Sequence, residues 1–223
     1  LDVLSLAVLA GLAWFLLFRC TKVERERMFV LILLTLSTVV FWALFEQGAG
    51  SMTLYADRVT DKTLFGITLT AAQFGAANSF FIFSLAPLFA MLWIRLGRRG
   101  WEPSTPVKFS LGIAQAGLGF GALVYGAQFP DQAGVVSAWW LIVAYLLHTT
   151  GELCLSPVGL SAVTKLAVPS VVGVMMGTWF LASAYSSYVA AQIATIAARP
   201  ANESSLNLTD ALSGYTELFS QLL

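Results

Sequence analysis

Two carboxylates stand where carboxylates are costly. Glu46 follows directly on the uncharged run 28–45, in the stretch FWALFEQGAGS, and Glu152 sits inside HTTGELCLSPVGLS at 148–161. Along a helix rising about 1.5 Å per residue, Glu152 lies roughly 20 Å from Lys165. A charge near the middle of a bilayer costs roughly 2.5 to 3.5 kcal/mol, so an acid held there is expected to bind or carry something. Two readings of Glu46 stand: a helix-end acid with water in reach near the outer interface, and an acid facing a cavity. Glu152 is placed well inside the membrane.

Other residues break the apolar pattern around these two acids. Trp42 precedes Glu46 by four residues and shares its helix face, and Gln47, Gly48, Gly50 and Ser51 follow as a polar, small-residue stretch. Pro157, flanked by Ser156 and Gly159, removes a backbone donor and should bend or loosen its helix, a property that suits either a gate or simple packing. His148 lies four residues before Glu152, which allows a proton relay but equally a histidine hydrogen-bonded at a helix interface. Asn78 and Gln115 are amides within uncharged runs that must find partners; Asn78 is a ligand candidate and Gln115 an interhelical tie. Trp179 and Ser183, four apart in GVMMGTWFLASAYSSY with Tyr185 close by, pair an aromatic wall with a hydroxyl.

The elements that must position these residues follow from composition. Of 223 residues 58% are hydrophobic and 11% charged, with formal charge zero and a mean hydropathy of +0.79. This is the composition of an integral membrane protein, and the neutral balance offers nothing to nucleic acid. Cys20 and Cys154 have no neighbours at metal-ligand or redox spacing, so neither a disulfide nor a metal is expected. The first residues lack the basic start and small-residue cleavage site of a secretory signal.

Uncharged runs cover 3–18, 28–45, 63–94, 109–130, 132–151 and 166–198, lengths that favour six membrane helices over barrel strands. Counted on alternate connections, nine basic residues fall on one side (Arg19, Lys22, Arg25, Arg27, Arg95, Arg98, Arg99, Lys108, Lys165) and three on the other (Arg58, Lys62, Arg199). The side with nine is cytoplasmic by the positive-inside rule. Gly117 and Gly121, at a spacing of four, permit a close helix approach. No phosphate loop is formed by the glycines at 117–126. Asn202 and Asn207 head sequons on the predicted outer side. After residue 212 the apolar character resumes for too few residues to span, and a chain cut at both ends is expected.

Four segments in order, FWALFEQGAGSMTLYADR at 41–58, APLFAMLWIRLGRRGWEPSTPVKFSLG at 86–112, GELCLSPVGLSAVTKLA at 151–167 and GVMMGTWFLASA at 173–184, resemble the C-terminal half of the proton-dependent oligopeptide transporter family, within the major facilitator superfamily. The resemblance implies an all-α, polytopic helical bundle. Residues 1–27 would be the end of an inserted helical hairpin with its cytoplasmic linker, and 28–223 the C-terminal bundle, from the seventh helix to the start of the twelfth. It implies that Glu46 couples to protons and that Glu152, Trp42, Asn78, Trp179 and Ser183 contact substrate, with Ser156 and Pro157 in a gating stretch. Around Asn78 this chain has Gly75 and Ser79 where relatives often show Gln and Pro.

The function expected is proton-coupled import of di- and tripeptides by alternating access, with protons as the coupling ion and no other cofactor. The expected setting is a multi-pass monomer in a cell membrane, the inner membrane if bacterial, completed by an N-terminal helical half. The chemistry is coherent without the name. Burial disfavours an ionised carboxyl and a nearby cation favours it, so an acid that gains and loses such a partner can load and release a proton. A peptide's ammonium wants a carboxylate, which Glu152 supplies. Two alternatives are a same-fold symporter for nitrate or another small solute, against which Glu152 argues by repelling anions, and a non-transporting membrane subunit. An enzyme is not expected, since no nucleophile, base and orienter occur together.

Overall fold

A computed structural model describes residues 2–198 and 207–223, and the described chain is all-α apart from a few two-residue strands. Helix α1 (Asp2–Phe18) hands over to α2 (Lys22–Phe45) through a capping box: the Glu24 amide donates to Thr21 Oγ1 at 3.4 Å, and the Thr21 amide donates to Glu24 Oε2 at 2.9 Å. This pair satisfies donors that a helix start leaves open. Arg25 closes the other side of the corner, donating to the carbonyls of Leu16 and Leu17 at the end of α1.

Helix α2 does not end the rod that carries Glu46. One 3₁₀ turn, Glu46–Gly48, leads within three residues into α3 (Ser51–Val59), and the helical stretch Lys22–Val59 is 38 residues long. Glu46 therefore sits at a break in a rod rather than at its end.

Beyond α3 the structure departs from the expected run at 63–94. Residues 63–70 form no membrane helix. Strands β2 (Thr63–Leu64) and β3 (Ile67–Thr68) make an antiparallel hairpin, and a 3₁₀ turn (Ala71–Gly75) precedes α4 (Ala76–Arg98). The reason is local: the two hairpin turn residues, Phe65 and Gly66, hold φ of 51° and 78°, the handedness that a tight hairpin requires. Strand β1 (Thr60–Asp61) pairs in parallel with β4 (Val136–Ser137), which ties the outer end of α3 to the start of the helix that follows β4.

Helices α5 (Thr105–Gly126), α6 (Ala138–Leu166), α7 (Val172–Ala198) and α8 (Leu208–Leu222) complete the described chain. Four helical stretches, Lys22–Val59, Ala71–Arg98, Thr105–Gly126 and Ala138–Leu166, are long and apolar enough to cross a membrane. Two of the six expected spans fall outside this set for different reasons. Helix α1 has only 17 residues. Helix α7 has 27, but Thr178, Ser183, Ser186, Ser187 and its tyrosines dilute its apolarity. Helix α6 starts later than the uncharged run at 132 and continues through Glu152 to Leu166, in keeping with the helix that relates Glu152 to Lys165. The sequon at Asn202 and the basic Arg199 lie outside the described residues, and Asn207 is the N-cap residue of α8.

Glycine sets the tightest contact, that of α5 with α6. A Cβ at Gly112 would lie 2.9 Å from the Gly151 carbonyl oxygen, and one at Gly151 would lie 2.7 Å from that of Gly112. Gly119 and Gly126 continue this stripe at intervals of seven, against His148 and Trp140 of α6. Gly117 and Gly121, the pair singled out in the sequence, face the end of α8 instead: a Cβ at Gly117 would meet the Leu223 carbonyl at 2.8 Å. Helix α4, in contrast, has no buried residue, and Phe80 and Phe83 are among its exposed side chains. Its surroundings must be lipid or further protein.

Gly112→Ala is expected to destabilise the bundle by about 1–3 kcal/mol, because the new methyl group would meet the Gly151 carbonyl oxygen and the Leu155 side chain of the facing helix. Gly11→Ala, with no atom within 4 Å of the added carbon, should show no loss. Thermal unfolding of the purified protein in detergent, followed by tryptophan fluorescence, checks both.

Candidate functional site

Glu46 is half-buried at the 3₁₀ turn, and its Oε1 accepts a hydrogen bond from Ser187 Oγ of α7 at 2.9 Å. The next residue fixes the turn. Gln47 is fully buried; its Nε2 donates to the carbonyls of Ala43 and of Ala190 in α7, each at 3.1 Å, and its Oε1 accepts from Ser51 at 2.9 Å. Every polar atom of the side chain is thus used, so the turn and α7 are stapled together without an orphaned group. A third tie comes from α6, where the hydroxyl of Tyr145 donates to the Gly48 carbonyl at 2.9 Å.

Glu152 is the central residue of the 29 in α6, with fourteen on either side. Its Oε2 accepts from Asn78 Nδ2 of α4 at 3.3 Å, and the same Nδ2 donates to Thr149 Oγ1 at 3.0 Å. The amide expected to serve a ligand is therefore held directly beside the acid expected to serve one. Beside Glu46 a cavity of 420 Å³ opens, lined by Glu46, Gly48, Thr53, Asn78, Tyr145 and His148 among others; Glu152 does not line it but is bonded to Asn78, which does. This is the size range of sites for small organic ligands. Glu46 faces a cavity, the second of its two sequence readings.

His148 is buried and bonded through Nε2 to the Ala116 carbonyl of α5 at 3.0 Å, with Phe120 packed edge-on at 5.0 Å. It ties α5 to α6, whereas Glu152 turns to α4, and no hydrogen bond joins His148 to Glu152 among the described residues. Gln115 ties the same pair of helices, donating to Cys154 Sγ at 3.5 Å.

The remaining candidates lie apart from this cavity. Trp42 packs edge-on against Phe41 and Phe45. Trp179 is buried against Phe109 and over Gly159, where a Cβ would come within 2.6 Å of the indole ring. Ser183, one turn further along α7, has its carbonyl occupied by the hydroxyls of Ser186 and Ser187. Ser156 and Pro157 are exposed, with Pro157 inside α6 and unable to bond the Leu153 carbonyl.

Pro157 borders a second cavity, of 660 Å³, at the predicted cytoplasmic end. There the ammonium of the buried Lys108 pairs with Glu102 at 2.5 Å and stands 4.5 Å from the centre of the Trp93 ring. The hydrogen bond from Lys108, followed by its charge, holds the Glu102 carboxyl below the usual range. The pair pins the connection between α4 and α5 beneath the proline-containing half of α6.

Tyr145, Thr149 and Ser187 were not candidates in the sequence. All three act across helix interfaces, which spacing along one helix cannot reveal. The only available hint was their recurrence as hydroxyls on the helices that carry or face the two acids.

A model described as the POT family matches residues 3–212. The uncharacterized transporter YclF of Bacillus subtilis (strain 168) is 41% identical over 199 residues, covering 87% of this chain and 40% of that protein. Dipeptide and tripeptide permease B of Aliivibrio fischeri (strain MJ11) is 34% identical over 200 residues, 89% of this chain and 40% of that protein. A crystal structure of a peptide transporter POT in complex with sulfate matches with a TM-score of 0.78 and 31% identity, over 99% of this chain and 44% of that one. The chain thus spans less than half the length of the proteins it matches.

Gln47→Leu, which keeps the volume but removes all three hydrogen bonds, is expected to lower stability by roughly 1–3 kcal/mol, since Ala190 O and Ser51 Oγ lose their partner in a buried site. A lowered unfolding midpoint in detergent, with Ser51 left in place, is the measurement.

Proposed function

The chain belongs to the POT family, and on that premise we propose that it is the C-terminal part of a proton-coupled symporter that imports di- and tripeptides by alternating access. Residues 1–27 are the end of an inserted helical hairpin with its cytoplasmic linker, and 28–223 the C-terminal bundle. An N-terminal helical half completes the transporter, which works as a multi-pass monomer in a cell membrane. It is a transporter rather than an enzyme, with protons as coupling ion and no other cofactor.

The observation that carries this reading is the setting of Glu152. It is a carboxylate at the centre of a membrane-length helix, and its Oε1 and the Asn78 Oδ1 have no hydrogen-bond partner among the described residues. Two neighbouring acceptors suit a group with several donors and a positive charge, such as the amino terminus of a peptide. They would repel a bare anion such as nitrate. The names of relatives, a dipeptide and tripeptide permease among them, support the same substrate class.

Glu46 is the proton-linked acid. It is half-buried at the cavity, held by one hydroxyl of α7, and has no cation within ion-pair distance among the described residues. A cationic partner from the N-terminal half would favour its ionised form, and withdrawal of that partner would favour proton uptake. Each proton carried inward gains about 2.3 kcal/mol per 100 mV of membrane potential. Trp42, Trp179 and Ser183 form the substrate wall once both halves are assembled, and Ser156 and Pro157 give α6 its flexible cytoplasmic half.

In the intact transporter reconstituted in liposomes, Glu46→Gln is expected to abolish proton-driven accumulation of a dipeptide while counterflow exchange continues. Normal accumulation by the glutamine variant removes Glu46 from the coupling step.

A further inference from the structure

We propose that Thr149 is a positioning residue that fixes the polarity of the Asn78 amide, so that the site shows acceptors only and selects substrates bearing a free ammonium group. The proposal rests on the reading of Glu152 as the amine-binding acid and explains why the amide beside it presents its oxygen rather than its nitrogen to the substrate.

Thr149 is fully buried, and its hydroxyl has one proton to give. That proton is committed: Oγ1 donates to the Tyr145 carbonyl, one turn back in α6, at 2.7 Å. Only lone pairs remain for Asn78, whose Nδ2 stands 3.0 Å away. The other neighbour of the amide, the Glu152 carboxylate, is an acceptor as well, at 3.3 Å from the same nitrogen. Both partners therefore require the NH₂ group, and a flipped amide would set its oxygen against two sets of lone pairs. With both N–H bonds used, Asn78 keeps Oδ1 as its free polar atom, and Asn78 lines the cavity. Valine at 149 would preserve the shape but leave the amide held in one orientation by the single, longer bond to Glu152.

The backbone end of this chain is itself anchored. Tyr145, whose carbonyl accepts the threonine hydrogen bond, donates its own phenol hydroxyl to the Gly48 carbonyl, which ties this turn of α6 to the turn that carries Glu46. Gly151 next to the site is locked against Gly112, which holds the same stretch of α6 at a fixed depth.

The test measures KM and maximal rate in the intact reconstituted transporter, with dialanine and its N-acetylated form as substrates. Thr149→Val is expected to raise KM for dialanine about fivefold, the scale of one neutral hydrogen bond, with the maximal rate unchanged. Thr149→Ser should behave as the parent, and KM for the acetylated peptide should not move. In an Asn78→Leu background the valine change should add nothing. Thr149→Ala replaces the valine variant if the latter fails to insert. The proposal is overturned if Glu152→Gln raises KM for dialanine while Thr149→Val and Thr149→Ala do not, or if both peptides lose affinity equally. Should Glu152→Gln itself leave KM for dialanine unaltered, the assignment of Glu152 to the amine falls first.

Discussion

Hydrocarbon gives a carboxylate no water to bind, and this constraint shapes the bundle around Glu46 and Glu152. Each acid is met by a neutral donor from another helix, Ser187 for the first and Asn78 for the second, and each is left with acceptor capacity to spare. A full set of partners would make both acids inert structural groups. A complete lack of partners would make them too costly to keep charged. Partial satisfaction leaves them available to a proton or a ligand, and the neighbouring groups are arranged to hold that intermediate condition. Gln47 is fully bonded, His148 is committed to α5, and the Thr149 hydroxyl is spent on its own helix, so none competes for the acids.

Much of this was legible before any coordinates. The depth of Glu152 follows from the distance to Lys165, and it lies at the centre of α6 as the charge pattern requires. The interfacial role of His148 and Gln115 also follows from buried polar groups needing partners, although which helix supplies them does not. The hairpin at 63–68 stayed hidden because hydropathy registers only missing charge. The alternation of threonine with apolar residues around Phe65-Gly66 was the better guide. Hydroxyl ties such as Tyr145 to Gly48 were out of reach in principle. They depend on how two helices are rotated about one another, which spacing along a single helix does not encode.

The exposed apolar surface is a further part of the design. Helix α4 buries nothing, yet it carries Asn78 and presents Phe80 and Phe83 outward. One helix therefore contributes to the polar site through its inner edge while its other faces meet lipid or protein. The polar cost of Asn78 is offset by Thr149 and Glu152, and the rest of α4 is free to follow its surroundings.

The ties between helices also define a ruler. Tyr145 joins the Glu46 turn to α6, Gln47 joins it to α7, and Asn78 joins α4 to α6, so the spacing between the two acids is set by one cross-braced frame. On the proposed reading, a substrate amine held by Glu152 would always begin at the same mark. Differences between a short and a longer substrate would then accumulate at its far end, and among the described residues no lysine or arginine lines the cavity beside Glu46. Tolerance of substrate length is in that case a property of the opposite wall, and this half supplies its fixed origin.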